Sequence, residues 1–143
     1  MAGSEKVVVD ASVAFKWFVE EPGSDVARRL AEDYSKGLVD VASVEVLPFE
    51  VLNALRYAPD AWLEELRLVA RALDKLSLDL RPLSGDLSER CVENALRYGI
   101  SIYDSSYLSL GELEEVPVYT ADARLIKRVD GDVLKHISSY SSV

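Results

Sequence analysis

Strands alternating with helices from one end of the chain to the other predict an α/β fold, a three-layer α/β/α sandwich around a central, mainly parallel sheet. The first observation behind this is the run Lys6-Val7-Val8-Val9-Asp10, apolar at consecutive positions like a strand buried on both faces. The second is helical spacing of apolar residues between such runs, as at Val26, Ala27, Leu30 and Ala31. The third is size: 143 residues suffice for one domain with a single sizeable core. Residues 1–143 therefore read as one unit, without repeat or linker.

After the first strand, residues 11–20 are expected to form a helix that stops at Glu21-Pro22-Gly23. Ser24 is expected to cap the next helix, which Gly37 ends. Residues 38–44 read as the second strand. Pro48 suits the first turn of the following helix, which places Glu50 in that turn, and the helix runs to about Tyr57, before Pro59. Asp60 is positioned to cap a longer amphipathic helix through Trp62, Leu63, Leu66, Val69, Ala70 and Leu73, completing a helical hairpin.

Residues 76–83 alternate apolar and polar side chains, the pattern of an edge strand. Ser84 or Asp86 starts another helix, closed by Gly99. An extended stretch then leads to Asp104, whose carboxylate is expected to cap a helix over residues 105–111. A strand at 117–120, a short helix at 123–129 and a last strand at 133–137 complete the pattern, and the serine-rich end from Ser138 is expected to fray.

Sixteen basic against 25 acidic residues give a net charge of −9. That balance argues against a protein that grips nucleic acid through a broad basic face, because phosphate neutralisation needs Lys and Arg. A nuclease stays open, since a bound metal ion reverses the sign of a site locally. The lone Cys91 cannot form an internal disulfide, and no Cys/His cluster suggests zinc. No signal-peptide core and no apolar run of membrane length are present, so the expectation is a soluble cytoplasmic domain with no membrane association.

The chemistry-bearing residues are four acids at strand-to-helix transitions. Asp10 ends the first strand, Asp122 follows the strand at 117–120, and Glu50 and Asp104 lie where helices begin. In a parallel α/β sheet those transitions share the rim beyond the carboxyl ends of the strands, where ligands bind. Each acid alone has a plainer role as a helix cap, a first-turn acid or a turn residue. Together they would repel one another at neutral pH, and a hard divalent cation relieves that repulsion with oxygen ligands.

The words around these acids resemble the motifs of the PIN-domain family. Val7-Val8-Val9-Asp10-Ala11-Ser12 resembles its opening strand, and Pro48-Phe49-Glu50-Val51-Leu52-Asn53 its second acidic motif. Tyr98-Gly99-Ile100-Ser101-Ile102-Tyr103-Asp104 and the residues after it are similar to the third, and Val118-Tyr119-Thr120-Ala121-Asp122 to the fourth. One departure is Pro48, which lies closer to the acid than the family's usual proline.

In size the chain is similar to VapC-type toxins, the ribonuclease halves of type II toxin–antitoxin pairs. The resemblance implies RNA cleavage with Mg²⁺ or Mn²⁺, a homodimer, and inhibition by a small cognate antitoxin protein. It also implies that Asp10, Glu50, Asp104 and Asp122 are the catalytic metal-binding set, some acting through water. Ser12 and Thr120 would orient those carboxylates, and Asn53, one turn from Glu50, would help or would be an ordinary surface amide.

Alternatives within the family are a non-catalytic RNA- or protein-binding module and an RNA-processing nuclease that is not a toxin. A haloacid-dehalogenase phosphotransferase would need an acid where Ser12 stands, and a receiver domain would need a central phosphoacceptor aspartate. Cys91 and Trp17 read as packing residues. Trp62 reads the same way or, with Leu63, Leu66 and Val69, as part of a partner groove. His136 has no partner acid in its segment. Arg56, Arg124, Lys127 and Arg128 are near the acids in sequence, where they are solvated surface charge or meet RNA phosphates.

Overall fold

The computed structural model describes residues 5–142. Five strands, β1 (Glu5–Val9), β2 (Val39–Val44), β3 (Asp79–Arg81), β4 (Val118–Thr120) and β5 (Leu134–His136), form one sheet in the order β3-β2-β1-β4-β5. Every pairing is parallel, with Val7 opposite Val41 and Val8 opposite Val118. The sheet is thus wholly parallel, and the edge strand expected at 76–83 is shorter, β3 at Asp79–Arg81, because the preceding helix runs on to Leu76 and Ser77 turns left-handed after it.

Helices α1 (Ala11–Phe15), α2 (Ser24–Ser35), α3 (Leu47–Arg56), α4 (Leu63–Leu76), α5 (Gly85–Tyr98), α6 (Ile102–Glu114) and α7 (Ala123–Arg128) connect the strands. The valine run explains the layering, because successive side chains on a strand face opposite ways. Val8 packs with Leu47, Val51, Leu73 and Leu108 of α3, α4 and α6, whereas Val7 and Val9 pack with Ala27 and Leu30 of α2. Val8 and Val9 are fully buried, as a two-sided core requires.

Several local expectations are corrected. Helix α1 is half the expected length, because the amides of Lys16 and Trp17 turn back to Val13 O and Ala14 O instead of continuing the helix. Ser24 does not cap α2. Gly23, at φ +91°, occupies that position, and Ser24 Oγ donates to Val19 O and accepts from Glu21 N. Helix α4 starts after Trp62 with no side-chain cap, so Asp60 does not serve there.

The end of the chain is also not frayed throughout. A 3₁₀ turn at Ile137–Ser139 leads to buried Tyr140, which stacks edge-on against Tyr119 and donates 2.5 Å to Asp33 Oδ2. An aromatic ring with a paired hydroxyl outweighs the polar serines around it. Val143 lies outside the described residues.

Candidate active site

All four acids occupy the carboxyl-end rim of the sheet. Asp10 caps α1, its Oδ1 accepting from Val13 N at 3.2 Å, and it is 6% exposed. Its backbone amide donates to Tyr119 O, so the β1 end is held against β4. Asp122 caps α7, with Oδ1 accepting from Arg124 N and Leu125 N. The plain reading of Asp10 as a cap is therefore correct as far as one oxygen goes, and Asp122, plainly a turn residue by sequence, is a cap as well. Glu50 lies in the first turn of α3, after Pro48.

Asp104 differs from expectation. Ser101, not Asp104, caps α6, with Ser101 Oγ accepting from Asp104 N at 3.0 Å. The helix starts earlier than the sequence pattern implied, at Ile102, because the left-handed Gly99 (φ +63°) turns the chain sharply out of α5. Asp104 sits in the first turn with its carboxylate not engaged as a cap, among the other three acids.

A hydroxyl relay joins the β1 and β4 ends. Ser12 Oγ donates to Asp10 Oδ1 at 2.6 Å, accepts from Ala121 N at 2.8 Å, and lies 3.3 Å from Thr120 Oγ1. Thr120 Oγ1 accepts from Asp122 N at 3.1 Å. Ser12 thus touches the Asp10 carboxylate, and Thr120 the backbone amide of Asp122. Asn53 is exposed on α3 and makes no hydrogen bond to Glu50 among the described residues. The partner of Glu50 is Tyr107, whose hydroxyl donates to Glu50 Oε1 at 2.6 Å. The sequence signal for it was Tyr107 three residues after Asp104, on the same helical face.

The electrostatics tie the acids together. Burial lifts Asp10 from 3.8 to about 6, against hydrogen bonds from Ser12, Thr120 and Val13, and Asp104 adds repulsion. Glu50 is raised by burial and by Asp104, and its hydrogen bond from Tyr107 opposes the rise. Asp104 is itself raised by burial and by the charge of Asp122. Asp104 is therefore the member that feels or acts on all the others. Among the described residues, no three His, Cys, Asp or Glu side chains close into a group that would hold a metal ion. The donor set is nonetheless all carboxylate, which suits Mg²⁺ or Mn²⁺, and Mg²⁺ commonly takes one or two carboxylates and several waters.

The buried Asp10 has a measurable consequence. Its folded-state value lies above its unfolded one, so between pH 3.8 and about 6 the native state binds more protons than the unfolded chain, and stability falls as pH rises through that window. At neutral pH the ionised group costs roughly 3 kcal/mol, at ~1.4 kcal/mol per unit. Asp10→Asn, whose amide oxygen still accepts from Ser12 and Val13, is expected to raise Tm in EDTA at pH 7.5, with the difference vanishing towards pH 4. Thermal melts across that range check it; a lower Tm at pH 7.5 contradicts it.

Two depressions flank the acids. A groove of about 940 Å³ between α3 and α4 is lined by Phe49, Glu50, Arg56, Leu63, Arg67 and Tyr103, among others. A smaller cavity of about 190 Å³ holds Asp104 and Asp122 beside Arg124 and Arg128, and Arg128 Nη1 donates to Gly99 O at 2.7 Å. Trp62 is 67% exposed near the groove and is not a core residue, whereas Cys91 is buried. His136 Nδ1 bonds to Ser138 and stays away from the acids. No described helix is long and apolar enough to cross a membrane.

The PIN domain family model matches residues 7–132. Among solved structures, a toxin–antitoxin complex from Klebsiella pneumoniae aligns with a TM-score of 0.68 at 14% identity, over 92% of this chain and 97% of the other. A protein from Pyrobaculum aerophilum aligns with a TM-score of 0.65 at 20% identity, over 95% and 93%. VapC20 of Mycobacterium tuberculosis, a toxin that cleaves the sarcin–ricin loop, aligns with a TM-score of 0.67 at 15% identity, over 88% and 98%. At these identities the likeness is one of fold. No curated protein matches the chain.

Proposed function

Because the chain belongs to the PIN domain family, we propose that it is a divalent-metal-dependent endoribonuclease, the cytoplasmic toxin of a type II toxin–antitoxin pair, acting as a homodimer and held by a cognate antitoxin. The single observation that carries the catalytic reading is the position of Asp104, which adds its repulsion to Asp10 and Glu50 and receives that of Asp122. The toxin reading is supported by the fold likeness to the Klebsiella pneumoniae complex and to VapC20.

Asp10, Glu50, Asp104 and Asp122 would hold Mg²⁺ or Mn²⁺, one or two directly and the rest through water. When bound, such an ion lowers the pKa of water and stabilises charge on a phosphodiester under attack. The protein's own contribution is to orient the carboxylates. Ser12 fixes Asp10 and, with Thr120, ties its end of the sheet to the Asp122 loop. Tyr107 fixes Glu50, and it stays protonated because burial and Glu50 push its hydroxyl upward. Tyr107→Phe keeps the buried ring and removes that donor. Metal affinity or turnover is expected to fall about 10- to 100-fold with the fold intact, by Mn²⁺ titration and circular dichroism; unchanged Mn²⁺ affinity and turnover would refute it.

A second reading, a non-catalytic binding module, is favoured by the lack of a closed three-acid group among the described residues. The deciding experiment is cleavage of a single-stranded RNA panel with Mn²⁺, with Mg²⁺ and with EDTA, beside melting curves under the same conditions. Cleavage and a raised Tm that both need metal support the nuclease. Neither effect, in well-folded protein, supports the binding module.

A further inference from the structure

The two depressions on either side of the acids differ in chemistry, and the sheet order separates them. Glu50, which follows β2, forms the edge of the α3/α4 groove, while Asp104 and Asp122 form the edge of the small cavity beside β4. The groove presents Phe49 and Tyr103, 74% and 57% exposed, each next in sequence to an acid of the site. A protein seldom leaves two large aromatic rings in water at the mouth of one depression without a use for them. Arg56 and Arg67 line the same groove beside Glu50, Arg67 ion-paired with Glu64 at 3.0 Å. The small cavity holds Arg124 and Arg128, the latter anchored on the Gly99 carbonyl.

We propose that one strand of single-stranded RNA crosses the acids, with nucleobases stacked on Phe49 and Tyr103 in the α3/α4 groove and a flanking phosphate held by Arg124 and Arg128. The inference deepens the ribonuclease reading and rests on it. Flat aromatic faces with arginines beside them suit unpaired bases joined by phosphates, and base stacking is tolerant of sequence. A duplex hides its base faces and cannot use the groove. The split also answers how an acidic protein holds an acidic polymer. The cations are placed at both margins of the acids, and the ring faces add binding that does not depend on charge.

The test uses the Asp104→Asn protein with Mn²⁺, which removes turnover, and fluorescence anisotropy with a labelled single-stranded oligoribonucleotide, its duplex, and an abasic strand of equal length. Single strand is expected to bind at least tenfold more tightly than duplex or abasic strand. Phe49→Ala or Tyr103→Ala added to that protein is expected to weaken single-strand binding roughly tenfold, within the range for loss of one stacked base. Arg128→Ala is expected to lower the slope of log Kd against log salt by about 0.7. Equal binding of the three nucleic acids, or indifference to both aromatic substitutions, overturns the inference and leaves the groove to a protein partner. Selective single-strand binding by a wild type that cleaves nothing supports the groove assignment while sinking the ribonuclease reading, so the two fail separately.

Discussion

Asp104→Asn is expected to abolish metal-dependent RNA cleavage while leaving the protein folded. The helix does not need the carboxylate, since Ser101 caps α6 and the Asp104 amide is the donor in that cap. The side chain is half-buried among like charges, and its ionised form is disfavoured by burial and by Asp122. Neutralising it removes one source of repulsion on Asp10 and Glu50, so Tm in EDTA is expected to hold or rise slightly. Turnover has no such relief. Loss of an outer partner of a metal ligand alone costs about 10- to 100-fold, so loss of the proposed ligand that couples to the other three is expected to exceed ~100-fold. The Mn²⁺-induced rise in Tm should shrink in parallel. Wild-type turnover in a folded Asp104→Asn sample would remove Asp104 from the site.

The parallel sheet was legible because its cause is local: Val7, Val8 and Val9 carry no polar alternation, and only a strand covered on both faces tolerates that. The rim positions of the acids followed from topology for the same reason. Caps were read less well. Asp60, Ser24 and Asp104 have the composition of capping residues, yet which residue caps depends on the path of the preceding loop, as with Gly23 before α2 and Ser101 before α6. The i, i+3 spacing from Asp104 places Tyr107 on the face of the acids, but its pairing with Glu50, 57 residues away, is encoded by no local pattern. For Asn53, one helical turn from Glu50 left two readings open, and its exposed side chain fits the ordinary surface amide. The α3/α4 groove was within reach because it belongs almost wholly to one helical hairpin, whereas the small cavity joins residues 99–104 to residues 122–128, which no local pattern relates.

Gly111→Ala is expected to be among the most damaging single-methyl changes in the chain. Gly111 lies near the end of α6, where alanine would ordinarily stabilise a helix by roughly 1 kcal/mol. Here a Cβ would come within 2.1 Å of Val118 Cγ2, 3.0 Å of Val116 O and 3.3 Å of Val133 Cγ1. Val118 cannot retreat, because it is fully buried on β4, paired with Val8 of β1 and Leu134 of β5. Overpacking of this kind costs about 1–3 kcal/mol and sometimes more, and backbone at Val116 makes the upper end apply. At about 2–4 °C per kcal/mol for a domain near this size, thermal melting should drop by roughly 5–10 °C. The strand being pushed carries Thr120 and leads to Asp122, so nuclease activity should fall further than stability alone accounts for. Val118→Ala removes the nearest atom, and in that background Gly111→Ala should cost at least ~1 kcal/mol less, a coupling that a double-mutant cycle reads directly. A Tm that rises in Gly111→Ala would mean that α6 stands off the sheet, and with it that Asp104 is not held over the ends of β1 and β4.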